Sequence, residues 1–111
     1  MGRFVIVAYT PHPGCAGALQ ALLARHRDVL AAENLITERP AYQMQAESGA
    51  IVQVFEWQSR EAIERAHGNP AVQALWAEFA RVCDYTPLAQ LHESSELFAE
   101  FDALHPGPAA D

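Results

Sequence analysis

The sequence predicts an α+β fold, in which four strands form an antiparallel sheet and helices cover one of its faces. Short apolar or alternating runs, typical of strands, are separated by longer apolar stripes with the helical period. Their order along the chain is β-α-β-β-α-β, and one further helical stripe follows. At 111 residues, of which 50% are hydrophobic, the chain has the size and composition of one globular domain.

The first half of the chain predicts a strand, a helix and a hairpin. An unbroken apolar run at residues 4–9 predicts a strand that is buried on both faces. Leucines at helical spacing predict a helix over residues 16–33, which ends at Asn34. Residues 41–46 and 51–57 alternate in polarity on either side of a turn that contains glycine, and this pattern predicts two hairpin strands.

The second half begins with two consecutive helical segments. Ser59 is a cap for a helix that ends at His67. Asn69, followed by proline at the first helical position, caps a second helix whose apolar side runs from Val72 to Cys83. Because this stripe is the strongest amphipathic pattern in the sequence, we expect the second helix to pack on the sheet.

The remaining residues predict a fourth strand and a C-terminal helix. Residues 87–93 are assigned to the strand. Ser94 or Ser95 then caps the helix. The apolar side of this helix is formed by Leu97, Phe98, Phe101 and Leu104. We expect a single domain over residues 1–104 and a flexible tail over residues 105–111.

The first and third strands are apolar on both faces, although helices cover only one face of such a sheet. An exposed apolar face of that size predicts association. Two copies that pack their sheets face to face around a twofold axis would bury it, so we expect a homodimer. A small apolar pocket is expected between each sheet and its own helices.

The charge balance restricts the class of partner. Seven Lys and Arg face fourteen Asp and Glu, and the net charge of -7 repels nucleic acid and anionic membranes. The first apolar run is too short for a signal peptide or a membrane span, so we expect a cytoplasmic protein. Cys15 and Cys83 form no CxxC pair, which suits a reducing compartment, and neither is assigned a catalytic role.

Residues 55–67 (FEWQSREAIERAH), followed by residues 69–72 (NPAV), resemble the antibiotic-biosynthesis-monooxygenase-like group of dimeric α/β barrels. In that group a strand with an acidic residue leads into a helix that ends in His. Residues 30–39 and 97–101 are also similar to members of the group, so the resemblance covers nearly the whole chain. It implies a ferredoxin-like fold that forms a dimeric α/β barrel.

Members of this group include cofactor-independent oxygenases of aromatic polyketides, haem-degrading enzymes, small-molecule isomerases and proteins with no known activity, so the fold does not select one activity. The haem-degrading branch places its Trp before its His, whereas Trp76 here follows His67. The resemblance therefore argues against a haem site, and we expect no cofactor. No HxxxH or HxH spacing is present, and we expect no metal site.

His67 and Glu56 are the candidate catalytic residues. His67 ends an apolar helical face at a break in the chain, where an imidazole can act as a general base on a phenol or an enol. The alternative is a histidine that only caps its helix by bonding a nearby carbonyl or Glu56. Glu56 lies on the otherwise apolar face of Val52 and Val54, where a carboxylate is either the partner of a pocket histidine or an ion-paired residue at the strand end.

Five further residues are candidates for lining the pocket. They are His26, Tyr42, Phe55, Trp76 and Phe79. His26 lies in the apolar stripe of the first helix, where it either approaches the pocket from the wall opposite His67 or is a hydrogen-bonded core residue. Aromatic side chains can hold a planar substrate by stacking, but core packing uses the same side chains. Trp76 is preferred because a buried indole N–H needs a partner.

These residues support one main hypothesis and two alternatives. The main hypothesis is a cofactor-independent monooxygenase-like protein that acts on a small aromatic or quinol-type molecule, with His67 as base and Trp76 and Tyr42 as walls. One alternative is a non-catalytic homodimer that binds a small apolar molecule or serves as a scaffold, and the lack of a sharp catalytic motif favours it. The other is an isomerase or lyase that uses the same His and Glu without oxygen.

Overall fold

Five strands form one antiparallel sheet in the computed structural model, which describes residues 2–104; the tail expected at 105–111 lies outside the described residues. The strands are β1 (Arg3–Pro11), β2 (Tyr42–Gln45), β3 (Ile51–Trp57), β4 (Cys83–Thr86) and β5 (Asp102–Leu104). Their order in the sheet is β4-β1-β3-β2-β5, and the first four strands have the order of a ferredoxin-like unit. The α+β fold predicted from the sequence is confirmed, and a fifth strand extends its sheet.

Side-chain caps set the helix boundaries. The helices are α1 (Ala16–Ala32), α2 (Arg60–His67) and α3 (Pro70–Val82). The Ser59 hydroxyl accepts from the N–H of Ala62 at 3.1 Å, and Asn69 Oδ1 accepts from the N–H of Val72 at 3.1 Å, as expected from the sequence. Asn34, just after α1, has a φ of 59°, the left-handed conformation that commonly follows a helix.

The helices pack on one face of the sheet, which we name the helix face. Side chains alternate along β3, and four of them point to this face: Ile51, Gln53, Phe55 and Trp57. Buried apolar residues of α1 and α3 cover them, among them Leu19, Leu22, Leu23, Leu30, Val72, Leu75 and Phe79. The main hydrophobic core therefore lies between the helix face and its helices.

The opposite surface of the sheet, which we name the outer face, is only partly covered. Its central residues are Phe4, Ile6 and Ala8 of β1 and Val52, Val54 and Glu56 of β3. Ala8 and Val52 are buried, whereas Phe4 is 63% exposed and Ile6 is 50% exposed. One half of this apolar surface is thus open to solvent in a single chain.

The position of the fourth strand differs from the sequence prediction. β4 starts at Cys83, directly after α3, and not within residues 87–93. Thr86 pairs with Ala8 of β1, and the next residue, Pro87, has no N–H with which to continue the ladder. The chain therefore leaves the sheet at Pro87.

Residues 87–101, which we name the strap, then cross the outer face. β4 and β5 lie at opposite edges of the sheet, so the chain between them must span its width. It does so through two short 3-10 turns, Leu88–Gln90 and His92–Ser95, and an extended stretch. Leu91 anchors the strap in a small cluster with Ala8, Ala46, Ala50 and Val52.

The predicted C-terminal helix is wrong. Residues 102–104 pair with β2 as an edge strand, and this pairing fixes an extended chain where the local period predicted a helix. Leu97 and Phe98, expected on the apolar side of that helix, are 93% and 80% exposed. Phe101 is partly buried and packs against the outer-face cluster.

Candidate functional site

His26 is the centre of a buried polar network between the helices and the sheet. It lies in α1 and is 4% exposed. Oε1 of Gln53, on β3, accepts from His26 Nδ1 and from the Tyr9 hydroxyl, each at 3.2 Å. The Trp76 indole N–H donates to His26 Nε2 at 3.0 Å, and the Gln53 amide N–H donates to the Leu23 carbonyl at 3.4 Å. The Gln53 amide thus links β1 and α1 directly, and His26 extends the link to Trp76 of α3.

The chemistry of the donors fixes one tautomer of His26. An indole N–H can only donate, so Nε2 of His26 is the unprotonated nitrogen. Nδ1 then carries the proton and donates to the Gln53 carbonyl oxygen. Within residues 2–104, no buried side-chain nitrogen or oxygen lacks a hydrogen-bond partner. His26 is therefore neutral, and its basic nitrogen is already engaged by the protein.

The surroundings of the network keep it uncharged. Burial lowers the pKa of His26 to about 4, although its hydrogen bond to Gln53 acts in the opposite direction. Phe55 and Phe79 meet the imidazole edge-on, with ring centroids 5.6 Å and 5.3 Å from it. Burial also raises the pKa of the Tyr9 hydroxyl well above its usual range. Both titratable groups are neutral at pH 7.

His67 presents an accessible basic nitrogen at the end of α2. Its Nδ1 donates to the carbonyl of Ile63, one turn earlier, at 2.9 Å. Because a carbonyl can only accept, this bond places the proton of the neutral imidazole on Nδ1 and leaves Nε2 as an acceptor. The Gln73 side chain donates to the His67 carbonyl at 2.8 Å and holds the end of the helix in place.

Trp76 joins the two histidines that the sequence singled out. The centroid of its ring system is 6.4 Å from that of His26 and 5.2 Å from that of His67, which packs edge-on against it. His26 is the partner that the indole N–H was expected to need. With Phe55 and Phe79 behind His26, these side chains form one group, which we name the Trp76 cluster.

Glu56 lies outside the Trp76 cluster, on the outer face. It alternates with Phe55 and Trp57 along β3 and therefore points away from the helices. Its carboxylate accepts from the Thr37 hydroxyl at 2.8 Å and pairs with Arg39 Nε at 2.8 Å. The expected pairing of Glu56 with a pocket histidine is thus replaced by its alternative, an ion-paired residue at the strand end.

Tyr42 also lies on the outer face and is not a wall of the Trp76 cluster. It pairs with Val54 in the β2–β3 register, and residues directly opposite in antiparallel strands share a face. Its side chain is 61% exposed. The predicted role for Tyr42 as a wall beside His67 is therefore wrong.

Sequence reasoning missed Gln53 and Tyr9 as parts of the site. A signal for Gln53 was present, since it is the polar residue among Ile51, Phe55 and Trp57 on one face of β3. A polar side chain in such a position needs a buried partner. Its partners come from β1, α1 and a backbone carbonyl, so only the tertiary structure identifies them.

The Cys83 thiol and the potential metal-ligating side chains offer no second reactive site. Burial raises the pKa of the Cys83 thiol to about 11, so little thiolate forms at neutral pH. Within residues 2–104, no three His, Cys, Asp or Glu side chains are placed to hold a metal ion. In the same range no helix has the length and apolar character needed to cross a bilayer.

Two solved structures share this fold over most of the chain. One is SnoaB, a cofactor-independent oxygenase from Streptomyces nogalater, with a TM-score of 0.64 and 15% identity over 77% of this chain and 85% of SnoaB. The other is Rv0793 from Mycobacterium tuberculosis, with a TM-score of 0.61 and 25% identity over 85% of this chain and 99% of Rv0793. The chain has the antibiotic-biosynthesis-monooxygenase-like fold.

No protein-family model and no curated protein matches the chain. The antibiotic-biosynthesis-monooxygenase-like fold is therefore identified by the structural likeness, and it agrees with the resemblance of residues 55–72 noted above. At 15% identity, SnoaB resembles this chain in fold alone. Any activity has to be argued from the Trp76 cluster itself.

Proposed function

We propose that the chain is a cofactor-independent monooxygenase-like enzyme for a small aromatic or quinol-type molecule, with His67 as general base and Trp76 as a wall of the site. The observation that supports this is the geometry of His67. The Ile63 carbonyl holds its Nδ1 proton, which leaves Nε2 free to accept a proton next to the Trp76 ring. A base in this tautomer beside an aromatic wall suits the removal of a proton from a phenol or an acidic C–H group.

The proposed reaction requires only the substrate and dioxygen. His67 Nε2 takes a proton from an anthrone-type methylene, and the resulting carbanion transfers one electron to O2. The substrate radical and superoxide then combine into a peroxide. His67 returns its proton to the peroxide and then takes the second C–H proton as the O–O bond breaks. The products are a ketone and hydroxide, and the hydroxide becomes water by taking that proton from His67, so one oxygen atom enters each product.

The proposed wall is held in place before substrate binds. Trp76 cannot rotate freely because His26 accepts its N–H, and Gln53 holds the other side of the imidazole. Phe55 and Phe79 pack against the same imidazole. We assign His26 to positioning Trp76 and not to proton transfer, since its basic nitrogen is occupied.

We propose a homodimer in the cytoplasm as the working form. Phe4, Ile6 and Tyr42 leave the outer face half open, and each is at least 50% exposed. A second copy that packs the same face around a twofold axis would cover this surface on both chains.

Oxygen uptake tests the enzymatic proposal. The protein is treated with a chelator and supplied with a panel of anthrones and quinols in an oxygen electrode. We expect substrate-dependent uptake that falls at least about 100-fold in His67→Gln. His92→Gln, the same substitution at an exposed histidine of the strap, serves as the matched control and keeps the wild-type rate. Equal uptake by wild type and His67→Gln would remove His67 from the mechanism.

A non-catalytic binding dimer is the second candidate function. The observation that favours it is that both nitrogens of His26 are bonded within the protein, as in an ordinary satisfied core histidine. In this case the protein binds an aromatic ligand with no oxygen uptake from any member of the panel. His67→Gln would then change binding affinity by a small factor at most.

A further inference from the structure

An apolar cavity of about 340 Å³ lies on the outer face, between the sheet and the strap. Its floor is formed by the sheet residues Ile6, Met44, Val52 and Val54. Its roof is formed by the strap residues Leu88, Ser94, Ala99 and Phe101. Small-molecule sites in proteins have volumes of roughly 300–1,000 Å³ and mainly apolar walls, so this cavity has the size and the lining of a ligand site.

The cavity is separate from the Trp76 cluster. Its floor residues on β3, Val52 and Val54, alternate with Gln53, which points to the helices. The whole thickness of the sheet therefore lies between the two places. The space stays open because Ser94 and Ala99 in the roof have small side chains, while Leu91 holds the strap at a fixed position on the sheet.

The polar group in the lining defines what a ligand must offer. The Ser94 hydroxyl donates its proton to the carbonyl of Leu91 at 2.7 Å. Its oxygen can then only accept a further hydrogen bond. A ligand in the cavity gains a hydrogen bond at Ser94 if it carries an O–H or N–H donor, and none if it offers only acceptors.

The charge around the strap defines the second requirement. The strap carries Glu93, Glu96 and Glu100, and Asp102 follows it. Glu93 Oε2 accepts from the Glu47 N–H at 2.7 Å, and this bond lowers the pKa of the Glu93 carboxyl. These four carboxylates line an adjoining pocket that shares Phe101 with the cavity, so nearby negative charge would repel an anionic ligand.

We propose that the cavity beneath the strap binds a neutral, mainly apolar small molecule with one hydrogen-bond donor, such as an aryl amine, a phenol or an alcohol. This site does not depend on the proposed oxygenase activity, which is assigned to the other side of the sheet. The roof and the floor belong to the same chain, so the site does not require a second copy.

A pair of fluorescent probes with one aromatic skeleton tests the proposal. N-phenyl-1-naphthylamine is neutral and has a single N–H donor, and 8-anilino-1-naphthalenesulfonate adds a negative charge to the same skeleton. We expect one neutral probe per chain, bound at least about 10-fold more tightly than the sulfonated probe. Equal affinity for the two probes would overturn the chemical class that we propose.

Two substitutions on the strap locate the probe. Ala99→Phe adds a ring to the roof and should weaken binding of the neutral probe at least about 10-fold. Ala89→Phe adds the same ring to an exposed turn of the strap that does not line the cavity, and it should leave binding unchanged. Loss of binding in Trp76→Phe but not in Ala99→Phe would place the probe in the Trp76 cluster and overturn the proposal.

Native mass spectrometry shows whether the cavity is occupied by a ligand or by a second copy of the chain. If a second copy fills the cavity, the neutral probe should bind only as the dimer, of twice 12.2 kDa, dissociates. That result would also overturn the proposal. A dimer that carries two probes supports it.

Discussion

The indole N–H of Trp76 and Nε2 of His26 share a 3.0 Å hydrogen bond that permits only the neutral form of the histidine. A protonated Nε2 would carry its own hydrogen toward the indole hydrogen and break the bond. The contact that holds Trp76 against the core therefore depends on the protonation of a residue with almost no exposure to solvent.

The stability of the protein should fall in acid because of His26. Its pKa is about 4 in the folded protein and about 6.5 when unfolded, so between these values the unfolded chain binds the extra proton. Above pH 6.5 neither state binds this proton, and the free energy of unfolding keeps its full value. As the pH falls from 6.5 toward 4, the unfolded chain binds the proton and the free energy of unfolding decreases. From pH 7 to pH 4.5 the folded state should lose about 2 kcal/mol more in wild type than in His26→Gln. Urea unfolding at both pH values measures this, and equal losses would contradict it.

Trp76→Phe should destabilise the protein by leaving His26 Nε2 without a donor. An unpaired buried acceptor costs about 1–3 kcal/mol, in addition to the lost packing of the larger ring. Trp57→Phe is the matched control, since Trp57 also packs on the helix face but, at 5% exposure, its ring donates no hydrogen bond within residues 2–104. Chemical unfolding of both variants gives the comparison. A cost for Trp76→Phe no greater than that for Trp57→Phe would show that the hydrogen bond contributes nothing.

Gln53→Leu should cost much more than Tyr9→Phe. The first substitution removes the partner of the Tyr9 hydroxyl and of His26 Nδ1 at once, together with the amide bond to the Leu23 carbonyl, and we expect a loss of about 3 kcal/mol or more. The second leaves the His26 bond to Gln53 intact and should cost about 1 kcal/mol. Equilibrium unfolding in urea distinguishes the two variants, and similar values would mean that Gln53 does not organise the network.

Ile6→Lys should dissociate the proposed dimer without unfolding the chain. Ile6 is 50% exposed on the outer face, so a lysine is tolerated in a single chain but would be buried between two. Tyr85→Lys is the control, because Tyr85 is 56% exposed and lies opposite Tyr9, on the helix side of the sheet. Native mass spectrometry should show single chains of 12.2 kDa for Ile6→Lys and dimers for Tyr85→Lys. If Ile6→Lys still forms dimers, the interface does not include this part of the outer face.

The elements up to α3 could be predicted because their signals are local. Ser59 and Asn69 cap α2 and α3 through bonds to residues three positions ahead, and the alternation of β3 is contained in the strand. The segment after α3 could not be predicted in this way. Residues 96–101 repeat apolar side chains with a helical period, but the pairing of 102–104 with β2 joins positions far apart in sequence and overrules that period.

The site was predictable in part for a similar reason. The sequence indicates that the indole of Trp76 needs a partner, and the structure supplies His26. It does not indicate which face of β3 meets the helices, because both faces are mainly apolar. Glu56 and Tyr42 were therefore placed with His67, although the strand register puts them on the opposite side of the sheet.

The route of the strap implies that one part of the chain separates from the sheet before the others do. β5 is held to the sheet by the pairing of three residues at an outer edge, whereas β1 lies between two strands. Separation of β5 from β2 is a local unfolding event that costs much less free energy than global unfolding. Amide hydrogens of the strap should therefore exchange before those of β1 and β3. The same opening uncovers the cavity floor, whereas Phe4 and Tyr42 on the outer face are exposed even when the strap is in place. Exchange of a bound ligand should therefore become faster when the strap opens, and pairing of two chains should not depend on that opening.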